Sequence, residues 1–379
     1  MIPFAYALRN LWRRRARTVA TLLGIALTTV LVVAMVAFAT GLDRAGESSA
    51  RSDVAVLLGT SAEVDLVRSV VPRGAAENAA AAVPGVLVVD GVRAASVELH
   101  IATRTGDRIG LLRGVTPAAY LVHPQLTVVD GRGPRGPFEI MVGRLAAARM
   151  GYDEAQFAVG RTVRLEDRDW TVVGRFAAPG TILEAEMWTR LEDLMFATKR
   201  EDVSCVALRL ERADRLDDVR LFAARRVDLE IAAVPEKEMM AELERGLKPI
   251  TALARWMALL VLAGGAFACA NTMFAATLAR TRELATLRAL GYSPGAVAFS
   301  LLQEAALVAF LGGAIGCGLA LAVGEVPIRF PMGAFTLKLD VARRAIGLAA
   351  ALAAGVLGGV IPAWRAVRLP LVDALGGKA

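Results

Sequence analysis

The chain has 379 residues, of which 55% are hydrophobic, and its formal net charge is +7. This apolar fraction is higher than a soluble protein of this size needs, so the composition indicates a membrane protein. In residues 43–249 acidic residues outnumber basic ones, and the positive charge lies in the remaining segments. A nucleic-acid-binding protein would concentrate basic residues on a folded domain, so we expect no nucleic-acid partner.

Four long apolar segments predict transmembrane helices, because a helix needs roughly 20 apolar residues to cross the hydrocarbon core of a bilayer. Uncharged runs of that length occupy residues 18–42, 256–279, 305–324 and 345–364. The first run follows a cluster of arginines, as a signal peptide would. It is longer than the roughly 7–15 residues of a signal h-region, so we interpret it as an uncleaved membrane anchor.

The predicted fold is a membrane α-helical protein with four transmembrane helices and a large extracytoplasmic α+β domain between helices 1 and 2. Its predicted segments are a cytoplasmic amphipathic N-terminal helix (1–17), transmembrane helix 1 (18–42), the extracytoplasmic domain with a stalk (43–249), transmembrane helix 2 (250–279), a cytoplasmic coupling segment (280–293), transmembrane helix 3 (294–324), an extracytoplasmic loop (325–344), transmembrane helix 4 (345–364) and a cytoplasmic tail (365–379). We call residues 43–249 the outer domain.

Arginines in the short flanking segments predict the orientation. The segments before span 1, between spans 2 and 3 and after span 4 are all rich in arginine. The positive-inside rule places such segments in the cytoplasm, and all three can lie there only if four spans leave both termini inside. We therefore expect a multi-pass protein of the bacterial inner membrane with both termini cytoplasmic. The loop 325–344 also holds four basic residues, a modest exception to this bias.

Patterns in the outer domain predict a mixed α+β fold. Residues 53–58, 85–92, 96–103 and 203–210 are typical of strands, and residues 160–176 predict a hairpin that turns near 167–169. Helices are predicted at 75–82, 144–150, 191–199 and 214–225. Residues 236–256 predict a helical stalk that enters span 2 and is interrupted near Gly246 and Pro249.

The chain offers no evident catalytic or metal-binding residues. Its three cysteines are scattered, its two histidines, His100 and His123, have no neighbouring ligands at metal-site spacing, and no pair of carboxylates stands out. A phosphate-binding G-x-x-x-x-G-K-[ST] loop is also absent from the sequence. We therefore predict no catalytic site, no metal and no cofactor bound by this chain; if the protein uses ATP, another subunit holds the ATP and magnesium and hydrolyses the ATP.

The stretch 280–293 predicts a short helix between spans 2 and 3. Gly291 suits the position after a helix, while Ser293 and Pro294 suit the start of the next one. Leucines at 284, 287 and 290 would form an apolar ridge that a partner could bind. The alternative is a solvated connector with an ion pair between Arg280 and Glu283. The residues predicted to contact a partner, which the resemblance described below implies to be an ATPase, are Arg280, Arg282, Glu283, Leu284, Leu287, Arg288, Leu290 and Gly291.

Small residues in the spans predict close packing of helices. The residues predicted for dimer or helix packing are Gly264, Gly265, Ala268, Gly312 and Gly316, and Gly355 and Gly359 in span 4 extend the pattern. Glycines are common in membrane helices, so they predict tight packing without proving a dimer. Glu304 lies near the cytoplasmic start of span 3 and is expected to have a structural role.

Three segments resemble the signature regions of the MacB/FtsX/LolC-type, or type VII, ABC transporter permeases, which act by mechanotransmission: residues 6–27 (YALRNLWRRRARTVATLLGIAL), 271–316 (NTMFAATLARTRELATLRALGYSPGAVAFSLLQEAALVAFLGGAIG) and 361–375 (IPAWRAVRLPLVDAL). The outer domain resembles the periplasmic core domain of that family at 139–151 and 160–176. Trp364 departs from the terminal motif, where a basic residue is more usual.

The resemblance implies a permease that transmits motion from an ATPase in trans to its outer domain. Such permeases dimerise mainly through the first two spans, and the segment between spans 2 and 3 contacts the ATPase. The implied partners are an ABC ATPase subunit, a second copy or a related permease, membrane lipid, and, for export, a membrane-fusion adaptor with an outer-membrane channel. The implied roles are MacB-like efflux or release of lipoprotein or lipid. The alternatives are an FtsX-like transmitter that controls cell-wall hydrolases and, from another class, a membrane-anchored enzyme or sensor.

Overall fold

The computed structural model describes residues 15–49, 51–62, 65–105, 108–330 and 333–368. Most of the predicted N-terminal helix and of the C-terminal tail lies outside these residues. The described chain divides into two compact units. The first, which we call the helical unit, is drawn from residues 1–40, 250–326 and 337–379, and the second comprises Gly41–Pro249 and Pro327–Thr336.

Ten α-helices occur in the described residues. They are α1 (Arg15–Ser49), α2 (Arg73–Ala82), α3 (Ala119–Val122), α4 (Ala146–Met150), α5 (Leu191–Thr198), α6 (Leu216–Arg225), α7 (Glu236–Leu278), α8 (Thr281–Ala289), α9 (Pro294–Val323) and α10 (Val341–Arg368). The helices predicted in the outer domain correspond to α2, α4, α5 and α6, with ends that differ by a few residues.

The described strands number sixteen. They are β1 (Val54–Gly59), β2 (Val71–Pro72), β3 (Val88–Val89), β4 (Val92–Arg93), β5 (Ala95–Thr105), β6 (Arg108–Val115), β7 (Thr127–Gly131), β8 (Glu139–Gly143), β9 (Thr162–Leu165), β10 (Arg168–Ala177), β11 (Met187–Arg190), β12 (Asp202–Val203), β13 (Cys205–Arg209), β14 (Ile231–Pro235), β15 (Val326–Phe330) and β16 (Gly333–Leu337).

Four helices in the described part of the chain are long and apolar enough to cross a membrane. They lie in α1, α7, α9 and α10, and their apolar windows have mean hydropathies between 1.8 and 2.6. The α+β domain lies between the first and second of them in the chain. The predicted fold class is therefore confirmed.

Helix α7 is continuous where the sequence predicts an interruption. It runs for 43 residues through both Gly246 and Pro249, so the predicted break in the stalk is wrong. A proline inside a helix removes one backbone hydrogen bond and crowds the preceding turn. The long helical segments on either side outweigh that local cost, since helix propagation is cooperative.

Glycines allow the helices of the helical unit to approach closely. A Cβ added at Gly312 would lie 2.8 Å from Ile25 Cβ of α1, and one at Gly316 would lie 2.6 Å from the Ala26 carbonyl oxygen. A Cβ at Gly359 of α10 would lie 3.0 Å from Ala305 Cβ of α9. Backbone contact of this kind requires a residue without a side chain.

The outer domain is built on one mixed sheet of ten strands among the described residues. Its order is β14-β1-β13-β5-β6-β11-β8-β10-β7, and β9 pairs with β10. Strands β6 and β11 are parallel, as are β8 and β10, while the other pairs are antiparallel. The largest apolar core covers one face and includes Leu99, Leu112, Ile140 and Trp170. Because side chains alternate across a strand, the intervening residues of β5 and β6 point to the other face.

Two turns in the outer domain use residues with positive φ. The predicted hairpin at 160–176 is confirmed as β9 and β10, and its turn residues Glu166 and Asp167 have φ of 49° and 55°. The single strand predicted at 85–92 is wrong. Strands β3 and β4 form a short hairpin there, turning at Asp90 and Gly91 with φ of 50° and 78°. Asp-Gly is a preferred pair for such a turn.

The predicted loop 325–344 contains a hairpin of β15 and β16. Its residues Pro327–Thr336 belong to the same compact unit as the outer domain. Ala334 of β16 is buried in a cluster with Leu145 and Ala185. The hairpin is therefore part of the packed structure of that unit.

Candidate functional site

The segment between α7 and α9 folds as the short helix α8 with defined ends. Gly291 has φ of 95°, a conformation that side chains rarely adopt. Its N–H donates to the carbonyl of Arg288 at 3.1 Å, and the Tyr292 N–H donates to that of Leu287 at 3.2 Å. This pair of bonds is a Schellman motif, which satisfies the last carbonyls of α8. The predicted helix stop is confirmed.

The start of α9 is equally well defined. Ser293 is the N-cap residue, and its hydroxyl oxygen accepts a hydrogen bond from the Ala296 N–H at 3.2 Å. Pro294 follows at the first helical position, where its missing N–H costs nothing. The connection from α8 to α9 is therefore short and held at both ends.

A buried ion pair holds the other end of α8. Arg280 Nη2 donates to both carboxylate oxygens of Glu304, at 3.1 and 2.9 Å, and Arg280 Nε donates to the Ala276 carbonyl at 3.3 Å. The two side chains are 3% and 11% exposed. The pair connects the N-terminal end of α8 to α9. Arg280 therefore pairs with Glu304, whereas the alternative of a solvated connector expects a pair with Glu283.

The three leucines of the predicted ridge differ in how deeply they are buried. Leu284 is buried in a cluster with residues of α7, α9 and α10 that includes Met273, Leu301 and Ala363. Leu287 is half-buried, and Leu290 is 73% exposed. Leu284 thus packs α8 onto the helical unit, since a helix this short has little stability without tertiary contacts. Only the end of the ridge remains open.

The predicted coupling residues fall into two groups. Arg280 and Leu284 are buried and fix α8 in place. The exposed group is Arg282, Glu283, Leu290 and Gly291, while Leu287 and Arg288 are half-buried. All eight residues are predicted from the sequence to contact a partner. The expected structural role of Glu304 is confirmed, but its pairing with Arg280 is not predicted, because the two residues lie 24 positions apart.

The predicted packing residues also divide. Gly265 faces Thr28 of α1, with an added Cβ 2.8 Å from Thr28 Cγ2. Gly312 and Gly316 also pack against α1, as described above. Gly264 and Ala268 are exposed, and both line a cleft between α1 and α7. Gly264 and Ala268 are therefore accessible at the surface of the single chain.

Comparison with known proteins gives two matches to protein families. Residues 18–221 match the MacB-like periplasmic core domain, and residues 256–371 match the FtsX-like permease C-terminal region. The first match covers most of α1 and of the outer domain, and the second covers α8 with its flanking helices.

Two curated relatives and one solved structure are similar to parts of the chain. The macrolide export ATP-binding/permease protein MacB of Burkholderia lata is 24% identical over 402 residues, which cover 98% of this chain and 57% of that protein. MacB of Chromobacterium violaceum is 33% identical over 140 residues, covering 36% of this chain and 21% of that protein. The periplasmic region of MacB from Actinobacillus actinomycetemcomitans has a TM-score of 0.36 at 9% identity, covering 51% of this chain and 92% of that one.

The chain thus matches at most 57% of the length of these two curated relatives. The match to the periplasmic core domain extends over residues 18–221, which is more than half of the chain. Along the chain, the α+β domain lies between the first and the second of the four apolar helices. The chain therefore belongs to the MacB/FtsX-type family of ABC transporter permeases, and it is a multi-pass protein of the inner membrane.

Proposed function

We propose that this permease receives an ATP-driven movement from a separate ABC ATPase at α8 and transmits it to the outer domain. The observation that carries the proposal is the fixed position of α8, which is buried on one side and exposes charged and apolar side chains on the other. A solvated connector would need neither property.

The anchoring of α8 supports a mechanical role. The Arg280–Glu304 pair, the burial of Leu284 and the Schellman motif at Gly291 restrain α8 at its start, middle and end. A force applied to a restrained helix moves the elements to which it is joined. Helix α8 packs on α9 and α10 and directly follows α7, so movement of α8 would pass to three of the four long helices.

The exposed side of α8 supports binding of a protein partner. Arg282 and Glu283 offer both signs of charge, and Leu290 offers an apolar contact. Interfaces commonly combine apolar contacts with charges of both signs at their rim. We propose that the ATPase binds here and holds the ATP and magnesium.

The cleft between α1 and α7 supports assembly of two permease copies. Gly264 and Ala268 would let the helices of a second copy approach the backbone of α7 closely. Dimerisation would place two copies of α8 beside each other, as a pair of ATPase subunits requires.

The outer domain would handle substrate on the far side of the membrane from the ATPase. The two curated relatives described above are named for macrolide export, which favours export of a compound through an adaptor and an outer-membrane channel over lipoprotein release. Deletion of this chain should then lower resistance to macrolides. Mislocalised lipoproteins with unchanged resistance would contradict the export role.

Co-purification tests the coupling surface. The full chain, purified from its native membrane in detergent, should carry an ABC ATPase. We expect the double variant Arg282→Glu/Leu290→Asp to lose most of it, because the variant reverses a charge and removes the exposed apolar contact of α8. The matched control is Arg225→Glu/Leu221→Asp on α6, where both residues are also exposed. Equal ATPase recovery with both variants, or none with the wild-type chain, would refute the proposal.

A further inference from the structure

A cluster of buried polar residues lies on the face of the outer-domain sheet opposite its largest core. Glu98 and His100 are two positions apart on β5 and point to the same side. Cys205 of β13 pairs with Glu98, and Arg113 of β6 pairs with His100. The three side chains of Glu98, His100 and Cys205 are each about 99% buried. The register of β5 with β13 thus brings together a carboxylate, an imidazole and a thiol.

The donor atoms of this cluster have the spacing of ligands around one ion. His100 Nε2 lies 3.2 Å from Glu98 Oε2 and 3.8 Å from Cys205 Sγ, and all three atoms lie within 4.8 Å of one another. Zinc bonds of about 2.0–2.3 Å in tetrahedral geometry separate two ligand atoms by roughly 3.3–3.7 Å. Small side-chain adjustments would therefore suffice to place an ion between the three atoms.

The charge around the cluster favours a cation. Arg113 Nη1 lies 3.6 Å from Glu98, and Arg113 Nε lies 3.1 Å from Glu186. One guanidinium therefore faces two carboxylates, so these three groups together carry one net negative charge. A divalent ion bound by a thiolate adds one net positive charge and neutralises it. Buried charge without such compensation is costly.

The remaining polar atoms are consistent with an incomplete site. Glu98 Oε1 is buried and has no hydrogen-bond partner among the residues that the structure describes. It lies 3.7 Å from His123 Nε2. Since buried polar atoms are nearly always paired, an orphaned carboxylate oxygen calls for a missing partner.

We propose that Glu98, His100 and Cys205 bind one zinc ion or a similar divalent transition-metal ion in the outer domain. The ion takes one oxygen, one nitrogen and one sulfur ligand, and water completes the tetrahedron. Binding forms a metal–sulfur bond and releases the thiol proton of Cys205 to solvent. The sequence analysis predicted no metal site because His100 and Cys205 lie 105 positions apart. This inference does not depend on the proposed function at α8.

Cobalt(II) tests the site in the full chain, because a thiolate bound to cobalt gives a charge-transfer absorption band. The tag-free chain in detergent should bind one cobalt ion, develop that band and lose it when zinc is added. The double variant Cys269→Ala/Cys317→Ala leaves Cys205 as the single cysteine and should keep the band. Cys205→Ser should abolish the band and weaken zinc binding at least about tenfold.

The wild-type chain and the double variant keep the test decisive even if a substitution at Cys205 unfolds the outer domain. Absence of the band in both would refute the site and leave the cluster as a metal-free polar network. Retention of the band in folded Cys205→Ser would also refute it. In the wild-type chain, zinc should raise the unfolding temperature and a chelator should reverse this rise.

Discussion

Arg280 and Glu304 form a buried ion pair in which one guanidinium nitrogen donates to both carboxylate oxygens, at 3.1 and 2.9 Å. The pair joins the N-terminal end of α8 to α9 and includes the first residue of the proposed coupling segment. Its two members lie 24 positions apart in the chain.

We predict that Glu304→Gln destabilises the helical unit by about 3–5 kcal/mol, because it leaves Arg280 buried without its counter-charge. The measurement is thermal unfolding of the full chain in detergent. The apolar double variant Arg280→Met/Glu304→Leu should recover much of this loss, since neither residue then carries an uncompensated charge. A double variant no more stable than Glu304→Gln would contradict this account.

We predict that Gly312→Ala lowers the stability of the helical unit by about 1–3 kcal/mol through overpacking. The added Cβ would lie 2.8 Å from Ile25 Cβ. Gly318→Ala on the same helix is the matched control, because a Cβ there meets no atom within 4 Å. We expect the control to be neutral or slightly stabilising, since alanine favours helix. Equal unfolding temperatures for the two variants would argue against close packing of α1 and α9.

We predict that Gly291→Ala costs about 1–2 kcal/mol, because its positive φ is unfavourable for a residue with a side chain. The strain should loosen the end of α8 and speed hydrogen exchange of the Gly291 and Tyr292 amides, which bond to Arg288 and Leu287. Gly295→Ala in the first turn of α9 is the control, since an added Cβ there lies in open space. Unchanged exchange in Gly291→Ala would exclude a restraining role for this turn.

A pH dependence is predicted for Glu139 of β8. Hydrogen bonds from the Arg132 side chain and from the Arg135 and Gly136 N–H groups lower its pKa from 4.5 to about 2, although burial opposes the shift. A carboxylate with a lowered pKa stabilises the fold above pH 4.5, and this contribution disappears as the pH falls towards 2. Glu139→Gln should therefore cost more stability at pH 7 than at pH 3.

Urea unfolding followed by the fluorescence of the buried Trp170 and Trp188 measures this difference. Glu154→Gln is the control, because Glu154 is 65% exposed and makes a single ion pair with Arg175 at 3.3 Å. An equal loss of stability from Glu139→Gln at the two pH values would contradict the prediction.

The sequence predicts the features that depend on neighbouring residues. The four spans follow from uncharged runs, and the ends of α8 follow from Gly291, Ser293 and Pro294, because each signal lies within the element it defines. Pro249 predicts a break that α7 does not have, because the long helix around this residue outweighs one local helix breaker.

Features that depend on distant residues could not be predicted in this way. Glu283 is near Arg280 in sequence and is its partner in the alternative of a solvated connector, whereas the observed partner Glu304 requires the packing of α8 on α9. The cluster of Glu98, His100 and Cys205 requires the register of β5 with β13. Local patterns predict neither the pairing of β5 with β13 nor which of Glu283 and Glu304 binds Arg280.

The β15–β16 hairpin changes how the outer domain should be isolated. A fragment that contains only the residues between the first two spans would lack Ala334 and Phe335. The surface of Leu145 and Ala185 that Ala334 covers in the full chain would then be exposed. Such a fragment would have an exposed apolar surface and a tendency to self-associate. Fusing residues 327–336 to the end of the fragment through a flexible linker would cover this surface again. The fusion should then keep the packing that the outer domain has in the full chain.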